Sequence, residues 1–165
     1  MKQEVINAFH TQISLERDAA VVYEAMSIWC AVHEYPGFAE FFKKHAGEEL
    51  THASKFIDHM TARGKLPTLA ALEAPPAEYD DLLAVAKAAL AHEEANTQGV
   101  NVTLEAATAA RDYPAINLLN WFVNEQVEEE VWANRMVTLV KRATCAGSMY
   151  ALDRHIVADL AGAVA

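Results

Sequence analysis

The chain has 165 residues, 53% of them hydrophobic, and carries a formal net charge of −10. This length and apolar content are sufficient for one domain with a sizeable core over residues 1–165. The acidic balance argues against nucleic-acid binding, because no basic patch is available to neutralise phosphates, and it favours cations as partners.

Neither the cysteines nor the N-terminus indicates an exported protein. Cys30 and Cys145 form no zinc or redox motif, and two thiols in a chain of this length do not make a disulfide framework. Residues 1–11 lack a basic region followed by an apolar run, and no segment is long and apolar enough to span a bilayer. We therefore expect a cytoplasmic protein without membrane contacts.

The first two predicted helices are separated by a tight turn. Apolar residues recur at steps of three and four from about residue 3 to 33, and again from about 38 to 63. Pro36 and Gly37 interrupt this spacing, because proline blocks helix continuation and glycine permits a sharp reversal. The link is so short that the two helices should be antiparallel.

A long connection follows the second helix. Residues 64–78 contain Pro67, Pro75 and Pro76 and show no helical period. Such a segment can reach roughly 45 to 50 Å when extended, whereas the preceding helix is only about 40 Å long. The connection can therefore cross the whole bundle, which would leave the second and third helices parallel.

The remaining sequence predicts two long helices and one short helix, at about residues 79–110, 114–143 and 148–161. Asp112 is a suitable N-terminal cap for the fourth helix, ahead of a first-turn proline. The fifth has an apolar face formed by Leu152, Ile156 and Leu160. This face could dock against the bundle or pack against copies of the chain. The fold class is thus all-α, a four-helix bundle with a long crossover between helices 2 and 3 and a short fifth C-terminal helix.

Polar residues interrupt each of the four long apolar stripes near its midpoint. An ionised carboxylate there costs several kcal/mol unless it is paired, hydrogen-bonded or bound to metal. Helix midpoints come level in a bundle whatever the direction of each helix, so these side chains should meet in one layer. They are Glu16, Glu49 and His52, Glu93, and Gln126 and Glu129.

This ligand set is typical of a di-iron centre with one departure. Di-iron carboxylate bundles use a Glu from each of two helices and a Glu-x-x-His motif from each of the other two. Glu49 and His52 provide one such motif, but the fourth helix carries Gln126-x-x-Glu129 instead of the second. A position with oxygen ligands and a weak amide should hold iron less tightly. We therefore favour iron as a substrate that leaves over iron as a permanent cofactor.

Four segments resemble the non-haem ferritins of bacteria: residues 13–17 (ISLER), 25–30 (AMSIWC), 45–52 (HAGEELTH) and 124–130 (NEQVEEE). The resemblance covers nearly the whole chain, including the crossover and the fifth helix. It implies a ferritin-like fold and a ferroxidase that oxidises ferrous iron with oxygen or hydrogen peroxide inside each subunit. It also implies a hollow homo-oligomeric shell of 24 subunits in which ferric mineral is stored.

The resemblance also assigns roles to individual residues. Two irons would occupy the ferroxidase centre, with Glu49 bridging them, and Tyr23 would lie beside it as an electron donor during oxygen reduction. His45 is more simply a hydrogen-bond partner of a ligand, and Glu130 has no assigned role. The expected ligands are Glu16, Glu49 and His52 for the first iron, Glu93 and Glu129 with Gln126 close by for the second, and Glu48, Glu125, Glu128 and Glu129 for a third iron nearby.

Two features of related proteins are absent. Animal-type ferritins carry pore-lining carboxylates in turns where this chain has Ile116 and Leu119, so iron access through an acidic three-fold pore is not expected. Position 51 is Thr, where haem-binding bacterioferritins have an axial Met, so no haem is expected.

Three alternatives to a ferritin remain open. A di-iron oxidase or peroxidase of the rubrerythrin kind would favour two Glu-x-x-His motifs and often a Cys-x-x-Cys iron domain. A DNA-protecting mini-ferritin would share its metal ligands between two subunits and lack the fifth helix. A metal-free structural or interaction bundle would leave the carboxylates in the apolar stripes unexplained.

Overall fold

The computed structural model describes residues 1–161, which form five α-helices and no strand. The prediction of one domain over residues 1–165 extends past these residues at its C-terminal end. None of the described helices is long and apolar enough to cross a membrane. The helices are α1 (Gln3–Val32), α2 (Pro36–Ala62), α3 (Leu82–Ala110), α4 (Tyr113–Arg142) and α5 (Ala146–Ala161).

Helices α1 and α2 form an antiparallel pair. Phe9 near the start of α1 packs against Phe56 near the end of α2, with ring centroids 5.1 Å apart. At the opposite end of the pair, the Ser27 hydroxyl donates a 2.7 Å hydrogen bond to the carbonyl oxygen of Ala39. The short turn between them permits no other direction.

Helices α2 and α3 are parallel, because α3 is also antiparallel to α1. Tyr23, late in α1, hydrogen-bonds to Glu93, in the first half of α3. Gln12, earlier in α1, lies against Gly99, further along α3. The predicted all-α bundle and its parallel second and third helices are therefore confirmed.

The crossover between α2 and α3 runs along α1. Residues 65–79 have no regular secondary structure. The Arg17 guanidinium donates to the carbonyl oxygen of Ala70 at 3.1 Å, and the Thr68 amide donates to Nε2 of His10 at 3.3 Å. These bonds hold the extended segment on the outer face of the first helix.

Helix α5 docks on the bundle, and one of its side chains caps α2. Its apolar residues Leu152, Ile156 and Leu160 are buried in the main core. Of the two predicted uses of this face, docking against the bundle is therefore the observed one. The buried Asp153 carboxylate accepts hydrogen bonds from the amides of Gly37, at 3.0 Å, and Phe38, at 3.1 Å. This distant cap satisfies the first amides of α2, which begins at Pro36, two residues before the predicted start.

The third and fourth helices are capped locally. The Asp81 side chain accepts from the amide of Ala84 at 2.7 Å, so α3 begins at Leu82 and not at residue 79. The Asp112 side chain accepts from the amide of Ala115 at 3.3 Å, which confirms its predicted role as a cap. The other helix limits lie within two residues of the predicted ones, and three of them coincide.

The apolar interior is divided into two clusters. One contains Tyr23, Phe42 and Met136, and the other contains Phe9 and Phe122. Between them lies the layer of buried polar side chains at the helix midpoints. The candidate site therefore lies inside the bundle, where this polar layer separates the two apolar clusters.

Candidate metal centre

Five of the six predicted ligands of the two-metal centre come close together in the polar layer between the two apolar clusters, and the sixth, Gln126, is buried one turn before Glu129 on α4. Helices α1 and α3 each contribute one side chain, and α2 and α4 each contribute two. Because the paired residues are three apart, they project from the same helix face in successive turns. The six are Glu16, Glu49, His52, Glu93, Gln126 and Glu129, and all are buried.

The described acidic and imidazole side chains form three overlapping groups that could each hold one metal ion, and two of these groups lie wholly within this layer. Glu16, Glu49 and His52 offer ligand atoms that all lie within 4.8 Å of one another, and so do Glu49, Glu93 and Glu129. In the first group, Nδ1 of His52 lies 3.4 Å from Glu49 and 3.9 Å from Glu16. Glu49 belongs to both groups, which is the geometry a bridging carboxylate requires.

Several polar atoms in this layer have no hydrogen-bond partner. They include one oxygen each of Glu16 and Glu93, both oxygens of Glu49, and Nδ1 of His52. Unpartnered buried polar atoms are rare and individually costly. Cations held by the two groups would satisfy these atoms, so the residues present fit a metal centre.

The carboxylates are protonated more readily than ordinary glutamates. Burial, together with Glu49, raises the pKa of Glu16 well above its usual value, and burial with Glu93 does the same for the pKa of Glu49. Burial raises the pKa of Glu93 to about 8 and that of Glu129 to about 7. A metal ion must therefore displace protons when it binds near neutral pH.

Tyr23 lies at the edge of the centre. Its hydroxyl donates a hydrogen bond to one oxygen of Glu93, and its ring packs against Phe42 and Trp132. Burial, and then the nearby charge of Glu93, raise the pKa of Tyr23 well above its usual value. The phenol is therefore held neutral and in direct contact with a candidate ligand.

Two hydrogen-bond donors at the centre were not identified from the sequence. Nε2 of the buried Gln12 donates to Glu16 at 2.8 Å, and Nε1 of Trp132 donates to Glu129. Gln12 precedes Glu16 by four residues and Trp132 follows Glu129 by three. Helical spacing could have located both donors, because side chains three or four residues apart are neighbours on a helix surface.

The predicted third-iron residues surround a separate cavity between α2 and α4, of about 260 Å³. Nδ1 of His45 lies 2.9 Å from a Glu48 oxygen. Lys44 forms a 3.0 Å ion pair with the other Glu48 oxygen, and His45 and Lys44 together lower the pKa of Glu48 to about 2. The predicted residues that line this α2–α4 cavity are Glu48, Glu125, Glu128 and Glu129.

The α2–α4 cavity adjoins the two-metal centre. Nε2 of His52 lies 3.9 Å from Glu125, while its Nδ1 faces Glu16 and Glu49. Glu129 contributes both to the second group of the centre and to the lining of the cavity. His52, Glu125 and Glu129 form the third group of possible metal ligands, which therefore shares His52 and Glu129 with the centre.

Comparison with known proteins identifies the family. A family model described as the ferritin-like domain matches residues 6–143. The bacterial non-heme ferritin of Escherichia coli O6:H1 is 35% identical over 157 residues, which cover 94% of this chain and 95% of that protein. The bacterial non-heme ferritin of Staphylococcus epidermidis is 38% identical over 130 residues, 79% of this chain and 78% of that protein.

Solved structures agree with the sequence comparison. An open pore ferritin from the hyperthermophilic archaeon Archaeoglobus fulgidus superposes with a TM-score of 0.91 at 30% identity, covering 94% of this chain and 97% of that one. The resemblance to bacterial non-haem ferritins that the sequence motifs indicated is thus confirmed. In sequence and in fold, the chain belongs to the ferritin-like domain family.

Proposed function

We propose that this chain is an iron storage protein that oxidises ferrous iron at the buried two-metal centre and deposits the ferric product inside a hollow shell of 24 copies. Membership of the ferritin-like domain family supports iron storage. The observation that best supports oxidation is the layer of buried polar side chains contributed by all four long helices, in which Glu16, Glu49 and Glu93 have carboxylate oxygens without a hydrogen-bond partner.

Ferrous iron is the substrate in this proposal. The ligands of the first ion are Glu16, Glu49 and His52. Those of the second are Glu49, Glu93 and Glu129, with the Gln126 amide beside them. Binding requires the carboxylates to lose their protons, and hard anionic oxygens then favour the ferric over the ferrous state.

The reduction of O2 determines how many electrons iron and other donors must supply. Two ferrous ions give one electron each to O2, which takes up two protons and becomes hydrogen peroxide. Full reduction of O2 to water needs two more electrons. Tyr23 and a third ferrous ion in the α2–α4 cavity are the proposed donors, and hydrogen peroxide can itself replace O2 as the oxidant.

The ligand set suits release of iron after oxidation better than permanent retention of iron at the centre. Imidazole nitrogen comes only from His52 in the first group, and the second position has an amide where many di-iron proteins have a second histidine. Weaker binding at the second position allows ferric iron to leave. No second function is favoured, because the described residues contain only one Glu-x-x-His motif in the centre.

Adding ferrous salt to the purified metal-free protein in air tests the proposal. Absorbance would follow oxidation, and light scattering with iron analysis would give particle size and iron retained per subunit. A large shell that retains far more iron than its ligands can bind is the expected result. A small oligomer that saturates at two irons per subunit would instead indicate an oxidase of the rubrerythrin kind.

Glu49→Ala and His52→Ala should abolish rapid oxidation, because each removes a ligand of the first iron. Glu105→Ala is a matched control, since this exposed glutamate on α3 lies outside both metal groups. Circular dichroism and particle size should be unchanged in all three variants. Oxidation at the normal rate in Glu49→Ala would show that the centre has been misplaced.

A further inference from the structure

A second cavity, between α3 and α4, reaches the centre from another side. This α3–α4 cavity has a volume of about 240 Å³ and is lined by Thr97, Asn101, Gln126 and Glu130, together with three valines. Asn101 and Val127 are exposed at its mouth, whereas Gln126 is only 3% exposed. The cavity therefore leads from solvent to a side chain at the second metal position.

The inner wall of the cavity contains an unpartnered polar group. Gln126 Oε1 accepts a 3.3 Å hydrogen bond from the Thr97 hydroxyl, while Gln126 Nε2 is buried without a partner. A hydroxyl can donate or accept, so the amide can turn over and keep its bond to Thr97. The turned amide would present its oxygen to an ion in the cavity.

Glu130 lines the same cavity one helical turn after Gln126. Its side chain is half-buried, and within residues 1–161 its carboxylate forms no ion pair or side-chain hydrogen bond. It is close enough to Glu93 for its charge to contribute to that residue's raised pKa. This carboxylate is therefore free to bind a cation on the way to Glu93.

Charge distinguishes the two cavities that adjoin the centre. The α2–α4 cavity is lined by four glutamates together with Lys44 and His45, whereas Glu130 is the one charged residue among the described residues that line the α3–α4 cavity. One carboxylate with neutral hydroxyl and amide oxygens is a donor set that suits a hydrated divalent cation. Six waters of about 30 Å³ each occupy about 180 Å³, so a hydrated ion fits the cavity.

We propose that the α3–α4 cavity is the port through which a hydrated divalent cation reaches the second metal position, with Glu130 as its first ligand. The proposal rests on the two-metal centre proposed above. It adds the α3–α4 cavity as the route to that centre and Glu130 as a ligand on the route. It does not depend on oxidation, so a redox-inert ion can test it.

The probe is Co²⁺, whose visible absorption changes when carboxylate and imidazole ligands replace water. Stopped-flow absorbance would give the rate of binding to the assembled protein, and an equilibrium titration would give the number of ions bound. Glu130→Gln removes the proposed first ligand, and Val127→Phe narrows the mouth at a side chain that is 63% exposed. Both should slow binding at least fivefold while leaving the number bound at saturation unchanged.

Three matched variants serve as controls. Glu105→Gln removes an exposed charge from α3, and Val102→Phe enlarges an exposed α3 residue outside the cavity lining. Val157→Phe narrows the α2–α4 cavity instead. All three should bind Co²⁺ within twofold of the wild-type rate.

The possible results distinguish failure of the proposed port from failure of the proposed two-metal centre. Unchanged rates in both Glu130→Gln and Val127→Phe, or slowing by Val157→Phe alone, would overturn the port. A lower number of ions bound by Glu130→Gln would make this residue a ligand of the centre and would also overturn it. If the wild-type protein bound no Co²⁺ at the centre, the proposed two-metal centre would itself be wrong.

Discussion

Tyr23 on α1 donates a hydrogen bond to one oxygen of Glu93 on α3, and the other oxygen of Glu93 has no partner. Glu93 can therefore hold the phenol and face a metal ion at the same time. We predict that Tyr23→Phe binds the same number of ferrous ions but releases more hydrogen peroxide per iron oxidised, because one proposed electron donor is lost. An amperometric peroxide assay during oxidation in air measures this ratio.

Tyr79→Phe is the control for Tyr23→Phe. Tyr79 is half-buried in the cluster around Trp29, away from the centre, and its hydroxyl, unlike that of Tyr23, has no hydrogen-bond partner. Its replacement should leave peroxide release at the wild-type level. Equal release from the Tyr23 variant and the wild type would contradict an electron-donor role.

Trp132 should influence the second metal position through Glu129. Its indole N–H donates to Glu129 and lowers that residue's pKa against the larger effect of burial. Loss of such a partner typically costs about 10- to 100-fold in metal affinity. We expect Trp132→Phe to weaken Zn²⁺ binding by this amount at one of two positions, as measured by titration calorimetry.

Trp29→Phe provides the comparison for Trp132→Phe. Trp29 is equally buried, but its Nε1 has no partner and its ring packs on His33. Zn²⁺ affinity should be unaffected by this change. An equal loss of affinity in both variants would attribute the effect to packing and not to the hydrogen bond.

The metal-free protein should lose stability as pH rises from 5 to 8.5. Burial raises the folded-state pKa of Glu129 to about 7 and that of Glu93 to about 8, from an ordinary value near 4.5. A raised pKa means that the folded state holds protons that the unfolded chain has released. The stability that these protons contribute is therefore fully present below pH 4.5 and is lost as the pH rises through the folded-state pKa values. Each such proton corresponds to about 1.4 kcal/mol per pH unit.

Thermal unfolding of metal-free protein at pH 6, 7 and 8.5 measures this dependence. Zn²⁺ should restore the unfolding temperature at pH 8.5, because it replaces the missing protons. Glu93→Gln should flatten the dependence, whereas Glu105→Gln should leave it unchanged. An unfolding temperature that rises over the same range would be inconsistent with the raised pKa values.

Gly37 is required by the close approach of α5 to the start of α2. A Cβ atom at this position would overlap the carbonyl oxygen of Asp153, which is backbone and cannot turn aside. Gly37→Ala should therefore destabilise the protein by about 1 to 3 kcal/mol, as other overpacked substitutions do. Chemical denaturation measures the loss.

Gly47 on the same helix gives the opposite expectation. No atom lies within 4 Å of a Cβ built there. Gly47→Ala should stabilise the protein by up to about 1 kcal/mol, because alanine is the better helix former. If both glycine variants changed stability in the same direction, contact with α5 would not be the cause.

The positions of the long helices and of the polar layer could be predicted from spacing, because helical period and proline and glycine positions are local properties. The parallel arrangement of α2 and α3 followed from the reach of residues 64–78. The capping role of Asp112 was also local. These predictions needed no knowledge of which side chains meet across the bundle.

Contacts between segments that are distant in sequence were harder to predict. Asp153 caps α2 from a helix more than a hundred residues away, which no pattern near Pro36 indicates. Burial along α3 also does not follow hydrophobicity: Leu90 is only half-buried, whereas Ala89 and Asn96 are buried. A Cβ atom at Gly99 would meet Gln12 and Leu15, so the small size of this residue allows α3 to approach α1 closely.

The crossover divides the candidate ligands evenly between two halves of the chain. Three come from the α1–α2 hairpin and three from the α3–α4 hairpin, and the connecting residues 65–79 are mostly exposed. Proteolytic cleavage within this segment would leave two hairpins, each holding half of a coordination shell. Bound metal would then join the fragments as a cross-link does, and removing it with a chelator would leave only their apolar contacts to hold them together.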